Sequence, residues 1–182
     1  MHIDDFYIRI ANSTAHRPVR DLLSGMVLAD PGLLPELLRL DLDIKDKNHH
    51  KACWTLELVM EAEIEWLAPH LDAFCEVLPL YGHEGALRSV SKICLFAVKK
   101  HQKQSFLSPD HIGQITVSCF DWLIDPAGKV ATKAYAMRAL YLLGKEDGWI
   151  YPELQRVLSE DSIKHTAAYK AAAKEILQKL TV

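Results

Sequence analysis

Trp149-Ile150-Tyr151-Pro152-Glu153-Leu154 opens an apolar stripe that continues through Val157 and Leu158. That spacing is one buried face of a helix turning every 3.6 residues. Pro152 falls near the start, where backbone N–H groups lack an intrahelical partner and proline is tolerated. The same opening recurs as Trp66-Leu67-Ala68-Pro69-His70-Leu71 and as Leu33-Leu34-Pro35-Glu36-Leu37, with Phe106-Leu107-Ser108-Pro109 as a weaker copy. A second helix type alternates with the first. It has a basic residue, a small residue next, and leucine seven positions after the basic one: Lys51-Ala52…Leu58, Arg88-Ser89…Leu95, Lys133-Ala134…Leu140 and Lys170-Ala171…Leu177. Three positions after the basic residue stand Trp54, Ser91, Ala136 and Ala173. The small residues let neighbouring helices approach closely, and Trp54 makes the first repeat irregular.

Other stripes fill the chain between these. Leu67, Leu71, Phe74, Cys75 and Leu78 make one; Ala86, Val90, Ile93, Cys94 and Ala97 make another; Tyr169, Ala172, Ala173, Ile176 and Leu180 close the series. No run of period-two alternation competes with them. Gly82, Gly128, Gly144 and Gly148 lie between stripes, where glycine ends helices or forms turns. Ser108 precedes Pro109 and is expected to cap a helix. The spacing predicts nine helices, roughly 14–29, 33–41, 48–62, 66–79, 83–101, 109–124, 128–144, 149–159 and 163–180. Residues 1–13 stay unassigned, and Asp41 to Asn48 reads as a charged loop. Lys164, Lys170, Lys174, Glu175, Gln178 and Lys179 give the last helix polar sides suited to a terminal cap.

A helix opening near L-x-P-x-L, a turn, and a helix reading basic-x-x-small-x-x-x-Leu resembles the HEAT repeat. The resemblance covers about residues 33–180 and implies an all-α fold, a right-handed α-α superhelix of HEAT or armadillo type. About four helix pairs plus an N-terminal helix are expected. The expected organisation is one domain over 1–182, with a cap helix in 14–32 and repeats at 33–65, 66–105, 106–146 and 147–182. One helix pair cannot bury its own stripe, so stacked pairs share a core and terminal elements close it.

The chain also resembles a small group of proteins of Bacteroidetes-type bacteria, some labelled adenylosuccinate lyase. Lys51-Ala52-Cys53-Trp54, Cys119-Phe120-Asp121-Trp122, Lys133-Ala134-Tyr135 and Trp149-Ile150-Tyr151-Pro152-Glu153-Leu154 carry that likeness. It implies no site, and the string S-S-x-M-P-x-K-x-N of adenylosuccinate lyases does not occur.

Composition bounds the function classes. With 49% hydrophobic and 25% charged residues over 182 positions, the chain reads as globular rather than disordered. A formal charge of −3 gives no global pull toward nucleic acid or an anionic membrane. Cys53, Cys75, Cys94 and Cys119 form no CxxC pair and sit in apolar helical stretches, so they are expected as reduced, buried thiols of a cytoplasmic protein. The N-terminus has no basic segment followed by an apolar run, as a secretory signal would.

No motif assembles into a catalytic, cofactor or metal site, and the chain is read as non-enzymatic, with no cofactor. His83-Glu84 begins like a zinc-protease helix, but Leu87 stands where the second histidine belongs. His49 and His50 are adjacent, point about 100° apart on a helix, and read as a solvated helix start. Ser89-Val90-Ser91-Lys92 matches S-x-x-K without companion elements. Asp121-Trp122 and Trp66 resemble the acidic and aromatic residues of HEAT-like DNA glycosylases, which need a basic groove that tracks phosphates. The one basic cluster, Lys99, Lys100 and Lys103, lies at a helix end, with Glu57, Glu61, Glu63 and Glu65 read as an acidic surface offsetting it.

In HEAT stacks, the resemblance implies, the second helices line a groove. If the small residue and leucine of each second helix face the core, then Lys92, Phe96, Met137, Arg138, Tyr141 and Lys174 are the candidate partner-binding row, with Thr55 and Val59 before them. Trp54, which departs from the small-residue rule, joins the candidates as a surface opening in the first repeat. Aromatic, methionine and basic side chains together suit a protein or peptide contact. The expected function is therefore a protein–protein interaction or scaffold module. A nucleic-acid-binding or glycosylase-type protein and an adenylosuccinate lyase are the alternatives.

Overall fold

In the computed structural model the described residues are 3–161 and 165–181. Among them every regular element is helical: α1 (Ile3–Ala11), α2 (Arg17–Ala29), α3 (Leu34–Leu42), α4 (His49–Ala62), α5 (Leu71–Val77), α6 (Glu84–His101), α7 (Pro109–Ile124), α8 (Val130–Leu143), α9 (Ile150–Asp161) and α10 (Ala167–Leu180). Ile163 and Lys164, where the last helix was expected to begin, lie outside the described residues. No helix among the described residues is long and apolar enough to cross a membrane. The chain forms two compact units, Met1–Ile93 and Cys94–Val182.

The first unit is organised around α4, which packs against α1, α2 and α3. The reason is composition: Ala52, Cys53, Leu56, Leu58, Val59 and Met60 are apolar on nearly every side of that helix, and all are buried. Phe6 and Ile10 of α1, Leu23 and Val27 of α2, and Leu34, Leu37, Leu38 and Leu40 of α3 complete the core. Residues 1–13 thus contain a helix that the repeat pattern did not mark. Lys51, the basic residue that opens the second-helix pattern, donates its Nζ to the carbonyl of Ala11 at the end of α1. Helix C-termini leave carbonyls without intrahelical partners, and a lysine from a neighbouring helix satisfies one.

One expected helix is broken. The stretch 66–79 is not continuous: a 3-10 helix, Ile64–His70, leads into α5, and a second 3-10 turn, Leu78–Leu80, follows. Pro69 lies inside the first and Pro79 at the start of the second. Proline removes the N–H needed for the α-helical bond and crowds the carbonyl four residues back, so the chain tightens locally.

The second unit repeats the arrangement around α8, which packs against α7, α9 and α10. Ala136, Met137, Ala139, Leu140 and Leu143 are its buried apolar residues. Lys133 is 1% exposed and donates Nζ to the carbonyl of Leu123, 2.7 Å away near the end of α7. It fills for α7 the role that Lys51 fills for α1. Ser108 caps α7 as its sequence predicts. Its Oγ accepts from the His111 N–H and its own N–H donates to His111 Nδ1, both at 3.2 Å, a capping box with histidine in the usual Glu position. All four cysteines are buried and free.

Gly144 ends α8 because Tyr151 lies against it. A Cβ there would stand 2.2 Å from Tyr151 Cε1. Gly144→Ala is expected to cost about 1–3 kcal/mol through overpacking. Gly25→Ala, at an exposed mid-α2 position with nothing within 4 Å of the new carbon, is expected to gain up to about 1 kcal/mol. Denaturant unfolding of both variants checks the opposite signs.

Candidate functional site

The second-helix row divides between the two units. In the first, Trp54 is half-buried, with its ring edge-on to His50 at 5.1 Å. It fits because Gly85 has no side chain: a Cβ there would meet Trp54 Nε1 at 2.9 Å. The irregular repeat is thus accommodated by a glycine from α6. Lys92 is half-buried and donates Nζ to Glu57 Oε1 at 3.1 Å and Glu61 Oε2 at 3.2 Å. Thr55 and Val59 are buried and belong to the core.

In the second unit Phe96 is half-buried, and Met137 is 0% exposed. Met137 therefore corrects the expected row. It faces the helices packed on α8 and widens the core instead of meeting a partner. Arg138 donates to Glu175 Oε2 at 3.0 Å. Tyr141 stacks on Tyr151 with centroids 5.8 Å apart, and the Nζ atoms of Lys145 and Lys179 stand 5.9 and 5.7 Å from its ring centroid. Lys174 is exposed on α10. The structure thus brings Arg138 and Tyr141 into one half-buried polar and aromatic face.

Glu57 is not part of an acidic surface. It is 1% exposed and lies between Leu56 and Leu58, which are also buried. Arg20 approaches it at 2.9 Å, Lys92 at 3.1 Å and Arg88 at 3.5 Å, and Ser89 Oγ donates to it at 2.7 Å. Burial alone would raise its pKa. The Ser89 hydrogen bond and the charges of Arg20, Lys92 and Arg88 outweigh that and hold the carboxyl below its ordinary value. Ser89 and Lys92, the serine and lysine of the S-x-x-K string, are both spent on this carboxylate. The signal available in sequence was an acid inside an otherwise apolar helix, with its partners some 30 residues away.

A second polar cluster occupies the start of α4. His50 and His83 stack with centroids 3.9 Å apart, and His49 stacks on Tyr81 at 6.0 Å. His49 is buried and His50 half-buried, so the helix start is not solvated as expected. Burial, with the neighbouring His83, lowers both imidazole pKa values, that of His50 to about 4. Asp41 is likewise buried rather than in a charged loop. Burial raises its carboxyl to about 6, and Tyr81 Oη donates to it at 2.6 Å. Among the described residues no three His, Cys, Asp or Glu side chains are arranged to hold a metal ion. Asp121 is exposed whereas Trp122 is buried, so the adjacent acid and indole serve opposite faces of α7.

The most open feature lies on α7 and α9. α7 carries two apolar stripes. Ile115, Cys119, Trp122 and Leu123 face inward, and Val117, Phe120 and Ile124 run along the opposite side at helical spacing. Val117 is 60% exposed, Ile124 54%, and Trp149 at the start of α9 55%. Phe120 stacks on Trp149 at 5.8 Å. Phe120, Ile124, Trp149, Pro152, Glu153 and Arg156 line a groove of about 580 Å³. Trp149 Nε1 donates to Asp147 Oδ2 at 2.6 Å, which fixes the indole. Scattered exposed apolar side chains are ordinary, but a contiguous aromatic-lined patch marks a contact surface. Sequence reasoning passed over this groove because helical spacing does not show which side of α7 its neighbours cover.

The family model described as HEAT repeat domain matches residues 9–180, and the chain belongs to that family. No curated protein and no solved structure matches it. The family is typically non-catalytic, and repeats of this kind point to a protein-interaction or scaffold module.

Glu57→Gln is expected to destabilise the chain by about 3 kcal/mol at neutral pH, because it leaves Arg20 buried without its counter-charge. For a chain of this size that lowers Tm by roughly 6–12 °C. A depressed carboxyl contributes stability above its unfolded value and loses it as pH falls through the folded one. The gap between wild type and Glu57→Gln should therefore narrow below the ordinary glutamate range. Thermal unfolding across pH checks both the size and the sign.

Proposed function

We propose that this member of the HEAT repeat domain family is a non-catalytic interaction module of the cytoplasm, a scaffold that holds another protein or peptide. The observation that carries the reading is the α7–α9 groove, where Ile124 and Trp149 stay exposed and Phe120 stacks on Trp149, with Val117 exposed on the same side of α7. A buried aromatic anchor ringed by polar groups is what protein interfaces use for affinity. Trp54 and Lys92 in the first unit, and separately Phe96, Arg138, Tyr141 and Lys174 in the second, remain companion contact residues on the second helices, and Met137 drops out. The net charge of −3 supports a protein partner over nucleic acid.

Affinity capture from native lysate, read by mass spectrometry, tests this with three baits: wild type, Val117→Asp/Ile124→Asp, and Lys92→Glu/Lys174→Glu. The groove variant is expected to lose at least one protein that wild type retains, with its helical circular dichroism unchanged. Loss confined to the lysine variant, with its helical circular dichroism also unchanged, would move the contact to the second helices. An unchanged set of captured proteins from both variants would refute the reading.

A further inference from the structure

We infer that the α7–α9 groove takes a basic amphipathic helix, its apolar face on Val117, Phe120, Ile124 and Trp149 and its lysines or arginines on the acidic rim. The inference rests on the groove being a protein-contact surface, as proposed above. It adds what kind of segment the groove accepts.

Charge comes first. α7 contains Asp110 and Asp121 and no lysine or arginine. α9 contains Glu153 and Glu160 against a single cation, Arg156. That cation is already engaged. Its guanidinium lies 2.6 Å from Glu153 Oε1 and 2.9 Å from Glu160 Oε2. Burial is slight there, and the two carboxylates push its pKa up. With two carboxylates on one guanidinium, the cluster keeps a net negative charge, which favours a cationic partner over an acidic one. A basic partner finds Asp121 exposed on the same face as Val117 and Ile124, four residues after one and three before the other.

Shape comes second. Val117, Phe120 and Ile124 stand at i, i+3 and i+7, so the apolar row spans about 10 Å along α7 at 1.5 Å per residue. A helix that offers apolar anchors at its own i, i+3 or i+4, and i+7 matches that span in two to three turns. An extended peptide has less to gain. Strand addition needs an open sheet edge, and the described residues hold only helices. The stacked Phe120–Trp149 pair supplies a flat, rigid anchor for a leucine or phenylalanine. A second copy of the chain is a poorer occupant, because a symmetric dimer would set the acidic rim against itself.

A fluorescein-labelled synthetic 16-residue helix, leucine at i, i+3/i+4 and i+7 with lysine and arginine elsewhere, is the probe, and its glutamate-substituted twin is the control. Anisotropy with the full chain is expected to give at least tenfold tighter binding for the basic peptide, weakening as salt rises. Asp121→Lys/Glu160→Lys and Trp149→Ala are each expected to lose at least tenfold in affinity for it. Equal or tighter binding of the glutamate twin overturns the inference, as does no binding of either peptide, or unchanged affinity in Asp121→Lys/Glu160→Lys. Self-association by sedimentation equilibrium that Trp149→Ala abolishes also overturns it, by making a second copy the occupant. That last result leaves the groove as a protein-contact surface, whereas unchanged capture by Val117→Asp/Ile124→Asp removes the surface itself.

Discussion

α4 and α8 are apolar on almost every side, and a helix of that kind is stable in water only when neighbours enclose it. α1, α2 and α3 cover the first; α7, α9 and α10 cover the second. The rest of each unit follows from that demand. Lys51 and Lys133, one turn or less into these helices, reach back to the carbonyl ends of helices on which they pack. At these two positions the basic residue thus caps the C-terminal end of a neighbouring helix, whereas Arg88 pairs with Glu57 and Lys170 is exposed. The same enclosure explains Glu57. An acid inside α4 can remain charged only because Arg20, Arg88, Lys92 and Ser89 converge on it. A buried carboxylate stripped of such partners would cost several kcal/mol.

Enclosure of α8 leaves a surplus on α7. One face of α7 meets its neighbours through Ile115, Cys119, Trp122 and Leu123, and the opposite face keeps Val117 and Ile124 in solvent. Retaining two β-branched residues and an indole there gives the chain nothing in its own core. The surplus makes sense as surface for another molecule, and the acids on α7 and α9 bias what that molecule carries.

Much of this was legible in the sequence. Stripe spacing located most helices to within a few residues, Ser108-Pro109 marked a helix start correctly, and the recurring Lys51, Arg88, Lys133 and Lys170 marked the second helices. The failures share a cause: periodicity reports which residues lie on one side of a helix, not what stands opposite. It could not see that Pro69 and Pro79 would turn 64–80 into short pieces around α5. It could not place partners for Asp41 and Glu57, which arrive from about 30–40 residues away. Met137 looked like a contact residue because methionine is equally at home in a groove and in a core, and packing around α8 decided it. The α7–α9 groove was hidden in the same way, since spacing alone does not show which side of α7 its neighbours leave uncovered.

The claim that this stripe belongs to the surface, and not to the fold, is tested most directly by denaturant unfolding of Val117→Ser/Ile124→Ser at neutral pH. Surface substitutions away from special features change stability by about 0.5 kcal/mol or less each. The account predicts an unfolding free energy within about 1 kcal/mol of wild type. A loss of more than about 3 kcal/mol would mean that Val117 and Ile124 are packed inside the folded chain, and would contradict it.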